Sequence, residues 1–199
     1  MTITYTLGDN LYVNITNRCS NSCDFCIRNN GDSVGDAENL WLEREPTAAE
    51  IIDDIRRHDP SSYRELVFCG YGEPLERLDA IVEVVRELKK TRELFVRINT
   101  NGQADLIHGR PTAHELEGLI DAVSISLNTA DAESYDRVCH SEFGKAAFEA
   151  LIAYASDCKK YVPSVTLSVV DVIPPEEIEK CREIAKRAGV PLRVREMIS

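Results

Sequence analysis

At 199 residues and 43% hydrophobic content, the chain is long enough to bury one substantial core. Its net charge of −11 disfavours broad binding to nucleic acid or to an anionic membrane surface. No apolar run reaches the roughly 18 residues of a membrane span, and the first residues lack the basic region and apolar core of a secretory signal. From Leu11 onward, strand patterns alternate with helix patterns and no linker intervenes. The strands are expected at 10–16, 65–70, 94–100, 122–128, 164–171 and 191–196. Thr47-Ala-Ala-Glu50 reads as a capping box opening a helix that runs through Arg57. The stretch from Leu78 to Lys90 places Ile81, Val82, Val85 and Leu88 on one helical face. A second capping box, Thr112-Ala-His-Glu115, predicts a short helix near Leu119, with His108 and His114 flanking a loop. Helices follow over 131–138 and 145–160, and the last runs from Pro174-Pro175-Glu176 to a stop at Gly189.

Repeated strand–helix units imply a parallel sheet with right-handed crossovers. Parallel strands covered on both faces read as continuous apolar runs, yet several strands here alternate. Val96 and Ile98 oppose Arg97 and Asn99, Val123 and Ile125 oppose Ser124 and Ser126, and Leu192 and Val194 oppose Arg193 and Arg195. If helices cover the apolar face, the polar side chains must face an enclosed interior. A curved, incompletely closed barrel with a wet lumen fits; Leu66–Cys69, apolar on both faces, is the exception.

Cys19-Ser-Asn-Ser-Cys23-Asp-Phe-Cys26 follows the first of these strands. Three of the seven cysteines thus fall in one short loop, an odd total that suits a reducing cytoplasm and metal ligation rather than a disulfide framework. Sulfurs so close in sequence converge on one soft metal centre, and three ligands leave one coordination position open for chemistry. A structural zinc site would need a fourth ligand nearby; His58 lies beyond a helix and no second pair of ligands exists. The bland alternative is a set of unliganded cysteines. Further along, Gly70-Tyr-Gly-Glu-Pro74 allows a tight turn, and Asn99-Thr-Asn-Gly102 and Ser126-Leu-Asn128 close later strands. On their own, these are turns and a helix cap by Asn128 or Thr129. All lie at carboxy-terminal strand ends, where barrel active sites form.

With Phe25 before its last cysteine, the C-x3-C-x2-C loop resembles that of the radical S-adenosylmethionine (SAM) enzymes. The resemblance runs from Leu11 to Arg195 and implies a single-domain α/β fold over 1–199, a partial (β/α)6 TIM-like barrel with its cluster loop at 17–30. It implies a [4Fe–4S] cluster on Cys19, Cys23 and Cys26, whose open iron is chelated by SAM. It further implies SAM contacts at Phe25, Gly72, Glu73, Thr100, Asn101, Ser126 and Asn128. Arg195, with Arg193 and Arg97, would face the SAM carboxylate or an anionic substrate, unless an acid such as Asp171 or Glu196 pairs with it. The G-Y-G-E-P here departs from the family's G-G-E-P, which leaves the role of the first glycine open. Arg28 would neutralise the cluster or be solvated, and Trp41 would shield the loop or anchor the first crossover. Cys139-His140 is a minor candidate as hydrogen-atom donor or ligand, while Cys158 and Cys181 read as helix-packing residues.

The implied reaction is reductive SAM cleavage to a 5′-deoxyadenosyl radical that abstracts hydrogen from an unknown substrate, fed by an electron donor such as flavodoxin or ferredoxin. The alternatives are an activase acting on a partner protein and a non-catalytic structural metal module. Within the family, Asn14–Asn21, Val67–Pro74, Arg97–Gly102 and Ser124–Asn128 resemble the TatD-associated radical SAM proteins, which implies a link to a TatD-type hydrolase. A chain that stops after the sixth strand is not expected to carry a second cluster.

Overall fold

The computed structural model describes residues 1–29 and 34–196. The outer limits of the expected cluster loop and domain, residues 30 and 199, lie outside the described residues. Seven strands form one sheet in chain order. They are β1 (Thr4–Leu7), β2 (Asn10–Val13), β3 (Glu65–Phe68), β4 (Val96–Thr100), β5 (Ala122–Ser126), β6 (Ser164–Val170) and β7 (Leu192–Arg195). Strands β2 to β7 pair in parallel and are the six that the sequence predicts, each ending one to three residues earlier or starting later than expected. β1 is an addition. It runs antiparallel to β2 in the register Thr4↔Val13, joined by a Gly8-Asp9 turn whose glycine sits at φ 59°.

The helices are α1 (Ala48–Arg57), α2 (Leu78–Lys89), α3 (Ala104–His108), α4 (Ala132–Cys139), α5 (Ala146–Cys158) and α6 (Pro175–Ala188). The capping box of α1 forms as predicted: Thr47 Oγ1 accepts from Glu50 N, and Glu50 Oε2 accepts from Thr47 N at 2.8 Å. The second box does not form. The Thr112 hydroxyl instead donates to Asp105 Oδ1 at 2.8 Å, and only a 3-10 turn, Ala113–Leu116, follows. α3 precedes the loop expected between His108 and His114; His108 ends this helix, and its Nε2 bonds Leu75 O at 2.8 Å. Gly189 stops α6 in the left-handed region at φ 70°.

The alternation sorts side chains as expected in β2, β4 and β5 but not in β7, an edge strand whose Val194, expected under a helix, is exposed. Leu11, Val13, Val96, Ile98, Val123 and Ile125 are buried in a continuous core with Ile51, Ile55, Ile81, Val85 and Leu88 of α1 and α2. The opposite faces, including Tyr12, Arg97, Ser124, Thr166 and Arg195, border one cavity of about 1040 Å³. Side chains from β2 to β7 reach a common cavity only if the sheet curves around it. Among the described residues β7 does not pair with β1, so the barrel remains open. No described helix is long and apolar enough to cross a membrane.

Candidate active site

Cys19, Cys23 and Cys26 stand at one end of the lumen, beyond the carboxy terminus of β2, and all three border the cavity. The loop is fastened from several sides. Ser22 N donates to Cys139 O at 2.9 Å and Asp24 N to Val138 O at 3.0 Å, so the last carbonyls of α4 are satisfied by the cysteine loop. His140 Nε2 reaches Asp24 Oδ1 at 2.8 Å. Asn29 Nδ2 donates to the carbonyls of Cys23 and Asp24. Arg28 donates through Nε to Cys26 Sγ at 3.3 Å, and its guanidinium lies 6.0 Å from the Trp41 ring centre. Arg28 is therefore placed against one of the three loop thiols. Trp41 reaches both the loop and, at 5.1 Å, the ring of Tyr71.

Beneath the loop lies a buried polar hub that the motifs do not announce. Gln103 is fully buried; its Oε1 accepts from Ser20 Oγ and Ser141 Oγ at 3.0 and 2.9 Å. Its Nε2 lies 2.8 Å from Asn21 Oδ1 and 2.9 Å from Tyr135 Oη. Asn21 Nδ2 donates to the same Tyr135 hydroxyl at 2.9 Å. Asn101 Nδ2 donates to Ser20 Oγ at 2.8 Å, and Asn101 Oδ1 accepts from Gln103 N. Two residues inside the cysteine loop, Ser20 and Asn21, are thus tied to the turn after β4 and to α4.

The Gly70–Pro74 turn meets the same loop. A Cβ on Gly70 would lie 2.0 Å from Asn14 Oδ1, and one on Gly72 2.3 Å from Thr16 O and 2.6 Å from Arg18 O. Backbone leading into the cysteine loop thus excludes a side chain at Gly72, and the Asn14 side chain excludes one at Gly70, which gives Gly70 a packing role. Tyr71, where the family pattern has a glycine, buries its ring in a small cluster with Tyr5, Val34, Ala37 and Leu40. Glu73 turns inward. Its Oε1 accepts from Thr100 Oγ1 at 2.7 Å and Leu75 N at 3.0 Å, and its Oε2 from Asn101 N at 2.7 Å. The Thr100, Asn101 and Glu73 side chains are thus engaged with one another and with the loop. Ser126 and Asn128 remain on the cavity wall with Phe25. Asn128 takes φ 62°; its Nδ2 donates to Cys139 Sγ at 3.6 Å, while its Oδ1 is buried without a partner. Neither Asn128 nor Thr129 caps α4; Asp131 does, accepting from Ser134 N at 2.7 Å.

Burial dominates the electrostatics. It pushes the Cys19 thiol up to about 12, with the Glu73 charge adding to it. A hydrogen bond with Cys139, followed by burial, raises Cys23. Iron loading must therefore displace protons from these thiols. Burial also raises Glu73 to about 7, outweighing its three hydrogen bonds. Because the folded value exceeds that of a free carboxyl, this group's stabilisation of the fold is complete below about pH 4.5 and is lost as pH rises through about 7. Denaturant unfolding of metal-free protein between pH 5 and 8 should show this loss, and Glu73→Gln should remove it. An identical slope in the variant would refute the assignment.

Three thiols on one short loop, all opening on the same cavity, are a donor set that suits an iron–sulfur cluster with one iron left open. Among the described residues no three His, Cys, Asp or Glu side chains close on a single metal-ion position. Cys139 is buried against Cys23, and Cys158 and Cys181 are buried core residues; Cys69 faces the lumen.

The structure is thus an α/β barrel open at one side, with a three-thiol loop at the mouth of its lumen. The Radical SAM superfamily model matches residues 13–188, and the chain belongs to that family. Membership brings the family's cofactors, a [4Fe–4S] cluster and SAM. A probable GTP 3′,8-cyclase of Thermococcus kodakarensis is 27% identical over 190 residues, covering 94% of this chain and 56% of that protein. A probable RNA methyltransferase of Sorangium cellulosum is 29% identical over 153 residues, covering 69% and 34%. The crystal structure of Streptococcus suis SuiB bound to S-adenosylmethionine aligns with a TM-score of 0.65 at 16% identity, over 94% of this chain and 38% of that one. The chain thus spans about half, or less, of the length of these three proteins.

Proposed function

We propose that this chain is the catalytic core of a radical SAM enzyme whose cluster sits on Cys19, Cys23 and Cys26. The observation that carries the reading is the meeting of these thiols with Gly72, Ser126 and Asn128 around one polar cavity. When bound, a reduced [4Fe–4S] cluster supplies the electron that splits SAM into methionine and a 5′-deoxyadenosyl radical, which takes a hydrogen atom from a substrate C–H and becomes 5′-deoxyadenosine. The chain's own residues hold and orient. Arg28 donates to the Cys26 sulfur, a contact that strengthens once the sulfur is a thiolate. Phe25 walls the site, and Gly72 leaves room for a close backbone approach. Glu73 locks Thr100 and Asn101, fixing the turn that borders SAM. Ser126 and the unpartnered Asn128 Oδ1 offer a hydroxyl and an amide oxygen to ribose hydroxyls without adding charge.

The substrate, a flavodoxin- or ferredoxin-type electron donor and a link to a TatD-type hydrolase belong to the same proposal; four short stretches of resemblance support the last. Anaerobic reconstitution followed by EPR of the reduced protein tests the core of it. The expected result is a [4Fe–4S]+ signal that changes on SAM addition, with 5′-deoxyadenosine formed. Stoichiometric zinc and no SAM-responsive cluster would replace the enzyme with a structural metal module.

A further inference from the structure

Three arginines face a lumen in a chain whose net charge is −11. Arg97 is accounted for: its Nε donates to Glu65 Oε2 at 2.8 Å and its Nη1 to Asn99 Oδ1 at 2.6 Å. Arg195 is not. Among the described residues its buried Nε has no hydrogen-bond partner, and neither it nor Arg193 forms an ion pair. The acids bordering the cavity do not answer it: Glu65 is taken by Arg97, Glu73 by Thr100 and Asn101, and Glu196, also on the wall, forms no ion pair with Arg195 or Arg193 among the described residues. Burial lowers the Arg195 pKa, and Arg193 and Arg97 press in the same direction. A guanidinium withdrawn from water beside two others is costly unless an anion enters among them.

Location decides which anion. The cation beside the cluster thiols is Arg28. Arg195 instead lies near Cys69, Tyr12 and Arg97, on β2, on β4 and at the end of β3. Around it, Asn99, Ser124 and Thr166 add neutral hydrogen-bonding groups to the wall. Resting on the radical SAM reading for the reaction itself, we propose that the lumen takes a small anionic substrate. Its carboxylate or phosphate is held by Arg195 with Arg193 and Arg97, and its reacting C–H is directed toward the cluster mouth. Arg195 is then a substrate-specificity residue rather than part of the SAM site. The guanidinium fork suits either oxyanion, since both accept two parallel N–H donors.

Calorimetric titration of metal-free and of cluster-loaded, SAM-bound protein with pyrophosphate and with glutarate tests this, with the SAM-induced EPR change recorded on the same samples. One of the two probes should bind the wild type, identifying phosphate or carboxylate chemistry. Arg195→Gln should weaken it about tenfold or more, and Arg195→Lys should recover part of the loss. The EPR response to SAM and the melting temperature should hold in both variants. The inference is overturned if neither probe binds at millimolar concentration, or if Arg195→Gln binds as tightly as wild type. It is overturned equally if Arg195→Gln loses the SAM response while anion affinity persists, because the residue would then serve SAM. Failure of the radical SAM reading shows separately, as absence of any SAM-responsive signal in the wild type.

Discussion

Cys26→Ala is expected to fold, to assemble no SAM-responsive [4Fe–4S] centre, and to cleave SAM no faster than a protein-free control. The Cys26 side chain is half-buried at the lumen rim and its backbone N–H donates to Cys23 O at 3.1 Å, a bond alanine retains. The stability cost should therefore stay within about 1 kcal/mol. What disappears is one of the three thiols that the loop brings to the lumen. Iron and sulfide content per chain, read beside a circular-dichroism melt, separates lost ligation from lost folding. A variant with full iron, full sulfide and a SAM response would sink the ligand assignment. Arg28→Ala should behave differently, keeping a cluster but holding it about 10–100-fold more weakly, as removal of an outer contact to a ligand does.

The second large effect falls on a residue with no role in chemistry. Gln103→Leu should cost about 2–5 kcal/mol, a large share of the stability of a domain of this size. Leucine fills the space but leaves Asn21 Oδ1 without its donor and the Ser20 and Ser141 hydroxyls without their acceptor, all in a dry interior. Urea unfolding of the metal-free protein measures the cost. Cluster loading should fall as well, because Ser20 and Asn21 lie inside the cysteine loop. A loss under about 1 kcal/mol with normal loading would show that the hub is replaceable.

The division between what could be read from the chain and what could not follows the range of each interaction. The cysteine spacing, the capping box at Thr47 and the inward parity of Arg97 and Arg195 are local patterns, and each appears where expected. β1 was legible too: Thr4-Tyr-Thr-Leu7 followed by Gly8-Asp9 is a hairpin signal. The hub was not, because its side-chain bonds join residues from 32 to 114 positions apart, such as Gln103 with Tyr135 and Asn21 with Tyr135. Thr112 misled for a related reason. Its capping pattern is real, but Asp105 reaches its hydroxyl from seven residues upstream and α3 occupies the intervening turn.

The fastening of the cysteine loop has a consequence for the life history of the protein. A zinc finger depends on its metal to fold at all. Here Gln103, the Val138 and Cys139 carbonyls and Asn29 hold the loop through bonds that contain no metal. Under the proposed cluster assignment, iron–sulfur delivery is expected to come last in maturation, to a socket already shaped. Oxygen damage that strips the cluster would leave a folded vessel that repair machinery could refill, rather than a misfolded chain marked for proteolysis.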